Sequence, residues 1–454
     1  MSDPSNSNPP SPRTRPVQVL TGPFERLIQL ETGGAILLLI MTVIALTWAN
    51  SPWGESYDHF WHTPVSIGWG DHILSLSLAH WVNDALMAIF FFVVGMEIKR
   101  EVVLGELSSL QSAMLPLMGA LGGMIVPAGI YLLFHQEGPA ASGWGVPMAT
   151  DIAFAVAALT ALGKRVPAPL KIFLLALAIA DDLGAVLVIA IFYTAQIDTH
   201  ALMLCFATLA LVVVMNVAGV RAFLAYWLVG AIAWFFMHES GVHATIAGVL
   251  LGLLTPASAD TGEHETLVDA AKSHWHDLSV TFMPDQESDY GGHHKAHVFQ
   301  SLQTAYIGSQ SPLDYLVNLL EKWVTFFIMP VFALANAGVV FDTTVFTDPT
   351  SQMVAVAVAC GLLLGKPIGI GLFSYAAVKM KIATLPTGTN WVALTGVGLL
   401  AGIGFTMSLF VTNLAFSEAI LIAGSKIGIL AGSFLAAVLG LFFLQRSLPE
   451  APEG

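Results

Sequence analysis

Charged residues are scarce in this chain and make up 11% of its 454 residues, against about 25% in an ordinary soluble domain. That scarcity excludes a soluble globular protein. The 56% hydrophobic content excludes a disordered chain, which needs low hydrophobicity and high net charge. Only two cysteines are present, so a disulfide scaffold is excluded as well. The net charge is −14, and nucleic acid is not expected as a partner, because phosphate neutralisation needs a basic surface.

Long apolar runs dominate instead, and about twelve of them have the length that crosses ~30 Å of hydrocarbon as a helix. We predict an all-α polytopic membrane protein with spans at residues 33–50, 82–99, 113–134, 146–163, 170–194, 201–218, 222–237, 242–255, 323–340, 353–378, 392–413 and 422–444. The seventh and eighth are the weakest because they are short. With the N-terminus inside, fifteen of the seventeen Lys and Arg residues fall in cytoplasmic segments, as the positive-inside rule requires. Both termini are therefore predicted to be cytoplasmic.

The segments outside the spans divide the chain further. We predict a disordered cytoplasmic tail at 1–24, membrane helices 1–8 within 25–256, an acidic His-containing cytoplasmic loop at 257–312, helices 9–12 within 313–445 and a second cytoplasmic tail at 446–454. Alternating residues near 65–76, on either side of a Gly-Trp-Gly-Asp turn, predict a small external β-hairpin. The histidines of the long loop lack the spacing of a closed zinc site, and we interpret that loop as solvated and mobile.

Four ionisable residues lie deep in predicted spans: Asp151, Asp181, Asp182 and Lys366. A charge at bilayer depth costs on the order of 2.5–3.5 kcal/mol even on a lenient scale, so each is a functional candidate. Adjacent helical residues point ~100° apart, and Asp181 and Asp182 are therefore expected to do different jobs, one facing the ion and the other Lys366. A buried salt bridge that only fixes helix packing is the structural alternative. Three acids and one Lys together favour a shared, wet cation site.

Two spans carry residues that interrupt a helix. Pro147 and the Thr150-Asp151 pair can break the fourth span, and a glycine-rich stretch with Gly402 and Gly404 can break the eleventh. Close packing through small residues is an equal alternative for the glycines. Two breaks near the midplane would place half-helix dipoles and free carbonyl oxygens at the site, and Na⁺ and Li⁺ are hard cations that prefer oxygen ligands. Spans 3–5 and 10–12 would then be two inverted repeats.

Six segments, at residues 149–154, 175–184, 240–245, 332–338, 365–367 and 402–408, resemble those of the NhaA-type bacterial Na⁺/H⁺ antiporters. The likeness covers nearly the whole chain apart from the first tail and the acidic loop. That family is itself an example of the interrupted-repeat architecture. The resemblance implies electrogenic exchange and a homodimer joined partly through the external hairpin. We expect Na⁺, Li⁺ and H⁺ as transported ions, no cofactor, and a bacterial inner membrane as the location.

The resemblance also assigns roles to the buried charges. It implies that Asp182 is the principal Na⁺ ligand, with Asp151 and Thr150 beside it, and that Asp181 pairs with Lys366. Close carboxylates in a low-dielectric cavity repel one another, so proton and cation are expected to compete for the same oxygens. Acid would block transport by keeping the carboxylates protonated. Whether Lys366 carries a transported proton or steadies the fold stays open.

Candidate pH-sensing positions follow from the same likeness. They are the charged residues at the cytoplasmic end of the second span, Glu97, Arg100 and Glu101, together with His243. An ordinary charged helix end and a hydrogen-bonded histidine explain these positions as well. Two histidines that family members carry before the ninth span are absent, and Asn318 and Glu321 stand in that segment. The pH threshold is therefore expected to differ from the family's.

Two other functions remain as alternatives to an antiporter. A Na⁺-coupled symporter of an organic anion would need a roomy polar site, and no surplus of polar residues lies near the breaks. An intramembrane aspartyl protease needs two carboxylates that face one water from separate helices, in Tyr-Asp and Gly-x-Gly-Asp contexts. Here Asp151 follows Thr150 and Asp181 follows Ala180. The sequence favours a secondary transporter over an enzyme.

Overall fold

The computed structural model of the chain describes residues 30, 32–69, 72–194, 197–220, 223–257, 311–341 and 343–448. The predictions for the tail at 1–24, for nearly all of the acidic loop at 257–312 and for most of the tail at 446–454 fall outside the described residues.

The described residues are mainly helical, as the composition predicts. The helices are α1 Gly33–Ala49, α2 Gly54–His62, α3 Leu78–Val103, α4 Leu110–Phe134, α5 Ile152–Ala161, α6 Ala168–Phe192, α7 Thr199–Val217, α8 Phe223–Glu239, α9 Thr245–Leu254, α10 Pro312–Asn336, α11 Thr343–Thr347, α12 Pro349–Lys379, α13 Trp391–Ala401, α14 Phe405–Ala415 and α15 Ala419–Ser447. Three 3₁₀ segments accompany them, at Glu106–Ser108, Pro139–Met148 and Gly163–Arg165.

Each of the twelve predicted spans falls on a helical segment, but the segments differ in length. In the part of the chain that is described, eight are long and apolar enough to cross a membrane alone. Two bent pairs raise the count to ten: α1 with α2, bent by 112°, and α13 with α14, bent by 49°. The other two predicted spans are α8, with 17 residues, and α9, with 10. These correspond to the two runs that are shortest in the sequence.

The predicted β-hairpin is present between α2 and α3. Strand β1, Pro64–Trp69, pairs antiparallel with β2, His72–Ser77, in a register that sets Val65 opposite Leu76. Ser66 Oγ donates a hydrogen bond to Ser75 Oγ at 2.8 Å across the ladder. Paired edges of this kind fix the register, since a slip of one residue would reverse every side chain.

Glycines let the central helices cross closely and so position the buried charges. A Cβ on Gly122 of α4 would collide with the Gly369 carbonyl oxygen of α12, and a Cβ on Gly369 would collide with the Gly122 carbonyl oxygen. Further along the same crossing, a Cβ on Gly365 would lie 2.7 Å from Cα of Pro127. Small residues are the usual means of close helix packing in membranes. This contact brings Lys366, which follows Gly365, into the interior of the bundle.

Both predicted interruptions are present, and they occupy matching places. The 3₁₀ segment Pro139–Met148 is followed by extended backbone at Ala149 and Asp151 before α5 begins. Residues 402–404 separate α13 from α14. The order of a long helix, an interrupted helix and a long helix therefore occurs twice, in α4 to α6 and in α12 to α15, in agreement with the two predicted repeats.

Candidate functional site

The two interrupted segments cross at their breaks and satisfy each other's free polar groups. The Asp151 amide donates to the Ile403 carbonyl oxygen at 2.7 Å. The Thr150 hydroxyl donates to the Ala401 carbonyl oxygen at 2.8 Å. Backbone without a helical partner is tolerated at membrane depth only where protein or a cavity replaces the missing bonds. The crossing supplies those bonds, and so it holds both breaks in the interior.

Asp151 joins the beginnings of both half-helices. Its Oδ1 accepts from the Phe154 amide at 3.1 Å, which caps α5. Its Oδ2 accepts from the Thr406 amide at 3.1 Å and from the Thr406 hydroxyl. The side chain is 1% exposed. Helix N-termini carry a partial positive charge, so two half-helix dipoles stabilise this carboxylate as an anion.

Asp181 and Lys366 form a buried ion pair between α6 and α12. Lys366 Nζ lies 2.6 Å from Asp181 Oδ2 and donates to it. Both side chains are 2% exposed or less. Each charge offsets the other, so this pair contributes little net charge to the site.

Asp182 is next along α6 and is in a different situation. It is 1% exposed, and within the described residues neither of its carboxylate oxygens has a hydrogen-bond partner. Its charged neighbours are three acids that repel it, Asp181, Glu97 and Asp151, and one attracting cation, Lys366. A bare buried carboxylate is costly unless it is paired. Asp182 is therefore the acid at this site whose charge most needs a proton or a cation to balance it.

The predicted Na⁺ ligands Asp182, Asp151 and Thr150 lie at one crossing, but the acids do not converge on one point. Among the described residues, no three His, Cys, Asp or Glu side chains are grouped closely enough to hold a metal ion. Thr150 keeps its oxygen lone pairs because its hydroxyl proton goes to the Ala401 carbonyl oxygen, so a hydroxyl oxygen is available here as well as carboxylate oxygens. Hydroxyl, carbonyl and carboxylate oxygens together suit a hard monovalent cation.

The residues predicted to interrupt the spans also pack tightly. Pro147 ends the 3₁₀ segment, and a Cβ on Gly361 of α12 would lie 2.6 Å from the Pro147 Cβ. A Cβ on Gly402 would collide with the Leu362 carbonyl oxygen, and a Cβ on Gly404 would lie 2.9 Å from the Ala149 carbonyl oxygen. These glycines both interrupt the helix and allow close packing, because the helix breaks where it comes closest to the neighbouring segments.

The candidate pH-sensing residues of α3 lie in its last turns. Arg100 Nε is 3.4 Å from Asp314 Oδ1 of α10, and both side chains are partly exposed, at 51% and 32%. Exposed pairs of this kind contribute about 0–1 kcal/mol. Glu97 lies about one turn earlier in α3 than Arg100, and the negative charge of Glu321 repels its carboxylate. This repulsion links the charge of Glu97 electrostatically to the segment where the family's histidines are absent.

His243 lies between α8 and α9. Its Nε2 donates to the Tyr193 carbonyl oxygen at 3.1 Å, which places the proton of the neutral ring on that nitrogen. Burial lowers the pKa of His243 from its ordinary value of 6.5, against the opposing effects of that hydrogen bond and of Asp84. The neutral ring therefore favours the folded state above pH 6.5, and that contribution is lost as the pH falls below 6.5 through the lower pKa of the folded state.

Thr406 is a site residue whose role the sequence did not reveal. In the structure its amide and hydroxyl both donate to Asp151, which is 255 positions away. The available signal was a symmetry: each break carries a threonine, Thr150 in one and Thr406 in the other, and each threonine reaches the opposite break.

These features define the class of membrane protein to which the chain belongs. A multi-span helical bundle in which two interrupted helices cross beside buried, opposite charges is the architecture of an ion-coupled secondary transporter.

Comparison with known proteins narrows the class to one family. A family model described as Na⁺/H⁺ antiporter 1 matches residues 25–444. The chain is 45% identical over 437 residues to the Na(+)/H(+) antiporter NhaA of Rhodopirellula baltica, covering 96% of each chain. It is 48% identical over 419 residues to Na(+)/H(+) antiporter NhaA 2 of Myxococcus xanthus, covering 92% of this chain and 88% of that one. It is 46% identical over 450 residues to the Na(+)/H(+) antiporter NhaA of Oleidesulfovibrio alaskensis, covering 98% of each. The chain belongs to the Na⁺/H⁺ antiporter 1 family.

Membership confirms the resemblance found in the motifs. The protein is a secondary transporter and not an enzyme. Neither the organic-anion symporter nor the intramembrane protease is supported.

Proposed function

We propose that the chain is an electrogenic, pH-regulated antiporter that extrudes cytoplasmic Na⁺, or Li⁺, in exchange for external H⁺ and so maintains sodium and pH homeostasis. The relatives named above carry the name Na(+)/H(+) antiporter over the same length of chain. The proposed location is a bacterial inner membrane with both termini in the cytoplasm.

The observation that carries this proposal is the isolation of Asp182. Asp181 has Lys366 at 2.6 Å, and Asp151 accepts bonds at the beginnings of two half-helices. Asp182 has neither a counter-ion in contact nor a donor within the described residues. In a low-dielectric interior it is stable when it holds a proton or a cation, and the two compete for the same oxygens.

Exchange follows if the site changes sides only when loaded. A conformational equilibrium shifts only as far as the ligand's differential affinity for the two states. The charge of Asp182 is least compensated when the carboxylate holds neither a proton nor a cation. The conformational change that moves the site from one side of the membrane to the other is therefore least favourable in that state. Na⁺ leaving on one side is then replaced by a proton before the site returns. Acid blocks the cycle because protons outcompete Na⁺ at Asp182.

Purified protein in proteoliposomes with an acidic lumen tests this proposal. Added Na⁺ should dissipate the pH gradient for the unchanged protein. Asp182→Asn should abolish that response, because the amide cannot exchange a proton for a cation. Asp198→Asn is the matched control: Asp198 is an exposed N-cap of α7, and Asn caps a helix about as well as Asp. Unchanged exchange in Asp182→Asn would refute the role of this carboxylate.

Two further parts of the proposal concern assembly and charge movement. A homodimer is proposed in which the β1–β2 hairpins of two copies contribute to the interface. Disulfide cross-linking, in native membranes, of single cysteines placed on β1 tests it.

Electrogenic exchange predicts that an imposed membrane potential changes the rate of Na⁺-driven proton release. A rate that does not respond to the potential would contradict it.

A further inference from the structure

The two half-helices at the crossing are capped in different ways. At the first break, Asp151 caps its own helix, α5. At the second, the residue before α14 is Gly404, which has no side chain to serve as a cap. The acceptor comes instead from α15: Ser433 Oγ accepts from the Gly404 amide and from the Phe405 amide, each at 3.2 Å. Ser433 is 6% exposed.

We propose that Ser433 is a positioning residue of the cation site, which accepts from the Gly404 and Phe405 amides at the start of α14 so that Thr406, through its amide and hydroxyl, is the donor from this helix to Asp151. The proposal rests on the exchange function proposed above. It concerns an uncharged residue on α15 whose hydroxyl group accepts from the Gly404 and Phe405 amides.

The first four amides of a helix have no partner within that helix, and at membrane depth water does not supply one. In α14 the first helical bond is the Ser408 amide to the Gly404 carbonyl oxygen, at 2.8 Å. Ser433 takes two of the amides before it, and Asp151 takes that of Thr406. The fourth of these amides is that of Met407. The Gly404 and Phe405 amides keep their partner only while Ser433 has a hydroxyl group.

Loss of that hydroxyl group changes the hydrogen-bond donors and the electrostatic field at Asp151. The two released amides directly precede the Thr406 amide, which already donates to Asp151, and we expect them to turn towards that carboxylate. The positive end of α14 also loses the oxygen that faces it. The extra donors occupy the carboxylate oxygens of Asp151, and the positive helix end offsets its negative charge. Each effect makes binding of a cation beside Asp151 less favourable. The affinity for Na⁺ should therefore fall, while the steps that do not involve the cation remain.

The same helix provides a matched control. Ser425 lies eight residues before Ser433 on α15 and is also buried. Its hydroxyl contacts the Thr412 hydroxyl, at 2.8 Å, near the other end of α14. Ser425→Ala therefore removes a buried serine hydroxyl from the same pair of helices without altering the cap at the break.

The experiment measures Na⁺-driven proton release in proteoliposomes over a Na⁺ concentration series. Ser433→Ala should raise the half-saturating Na⁺ concentration about fivefold, the equivalent of one lost helix cap, with the maximal rate within about twofold of the unchanged protein. Ser433→Thr, which keeps the hydroxyl group, should restore the half-saturating concentration. Ser425→Ala should leave it unchanged.

Several results would overturn the proposal. One is an unchanged half-saturating concentration in Ser433→Ala, and another is an equal rise in Ser425→Ala. If Ser433→Ala does not fold, Ser433→Cys, whose sulfur is a weak acceptor, should show a partial rise, and unaltered affinity there would count against it. Failure of the unchanged protein to exchange at all would instead refute the proposed function, so the two failures are distinguishable.

Discussion

Removing Lys366 should isolate the charge on Asp181. The Nζ atom lies 2.6 Å from Asp181 Oδ2, and both residues are almost completely buried. The other carboxylate oxygen, Oδ1, has no hydrogen-bond partner among the described residues. Breaking one side of a buried ion pair typically destabilises a protein by about 3–5 kcal/mol, because the remaining charge is uncompensated. Lys366→Met removes the ammonium and keeps an unbranched side chain, so most of its effect should be electrostatic.

A double-mutant cycle separates the ion pair from simple packing. Asp181→Asn removes the carboxylate, and the variant with both changes leaves no buried charge at this position. Replacement of a whole buried pair is often neutral or stabilising. We therefore expect Lys366→Met to lose about 3–5 kcal/mol and the double variant to lose on the order of 1 kcal/mol. Thermal unfolding in detergent, followed by tryptophan fluorescence, measures the difference. A double variant that loses the sum of the two single effects would refute the reasoning.

Transport by the same variants decides what the pair does. If the double variant still exchanges Na⁺ for protons electrogenically, the pair stabilises the fold and Lys366 carries no transported proton. If its exchange is electroneutral, Lys366 carries one of the protons that makes the cycle electrogenic. The response of the rate to an imposed membrane potential distinguishes the two results.

Two other predictions concern single side chains. Thr406→Val removes the hydroxyl that donates to Asp151 and should change the half-saturating Na⁺ concentration by about 12- to 160-fold, as expected for a hydrogen bond to a charged group. Thr406→Ser should not change it, and identical values for the two variants would exclude a role for the hydroxyl group. Burial lowers the pKa of His243 below 6.5, so the ring is neutral at alkaline pH, and His243→Gln, which keeps a donor for Tyr193, should leave the pH profile of exchange above pH 7 unchanged. A displaced alkaline profile would show that His243 senses pH there.

Features encoded locally were predictable from the sequence. Apolar runs located the spans, since crossing hydrocarbon demands them, and the Gly-Trp-Gly-Asp turn located the hairpin. Pro147 and the glycines near residue 402 located both breaks. The shortness of α9 was visible in its apolar run. Each of these signals lies within about twenty residues of the structure it predicts.

Contacts between distant segments left no local trace. The helical period separated Asp181 from Asp182 and predicted that one of them faces Lys366, but only the family resemblance assigned that pairing to Asp181. The donation from Thr406 to Asp151 joins residues 255 positions apart. Ser433 and Ser425 are both serines in an apolar helix, and only the crossing geometry makes one of them a cap. Such roles depend on the packing of five helices, α5, α6, α12, α14 and α15, which composition and spacing do not fix.

The distribution of charge at the crossing explains why Asp182 should be the acid whose charge a proton or a cation neutralises, with Asp151 as a neighbouring oxygen ligand and Asp181 paired with Lys366. Asp181 is neutralised by Lys366. Asp151 faces two half-helix N-termini, each equivalent to about half a positive charge, so its charge is largely offset as well. One uncompensated negative charge then remains, on Asp182. A single proton or a single monovalent cation neutralises it, whereas a divalent cation would leave a positive charge buried in a low dielectric. The same balance that lets Na⁺ and H⁺ replace each other should therefore select against Ca²⁺ and Mg²⁺.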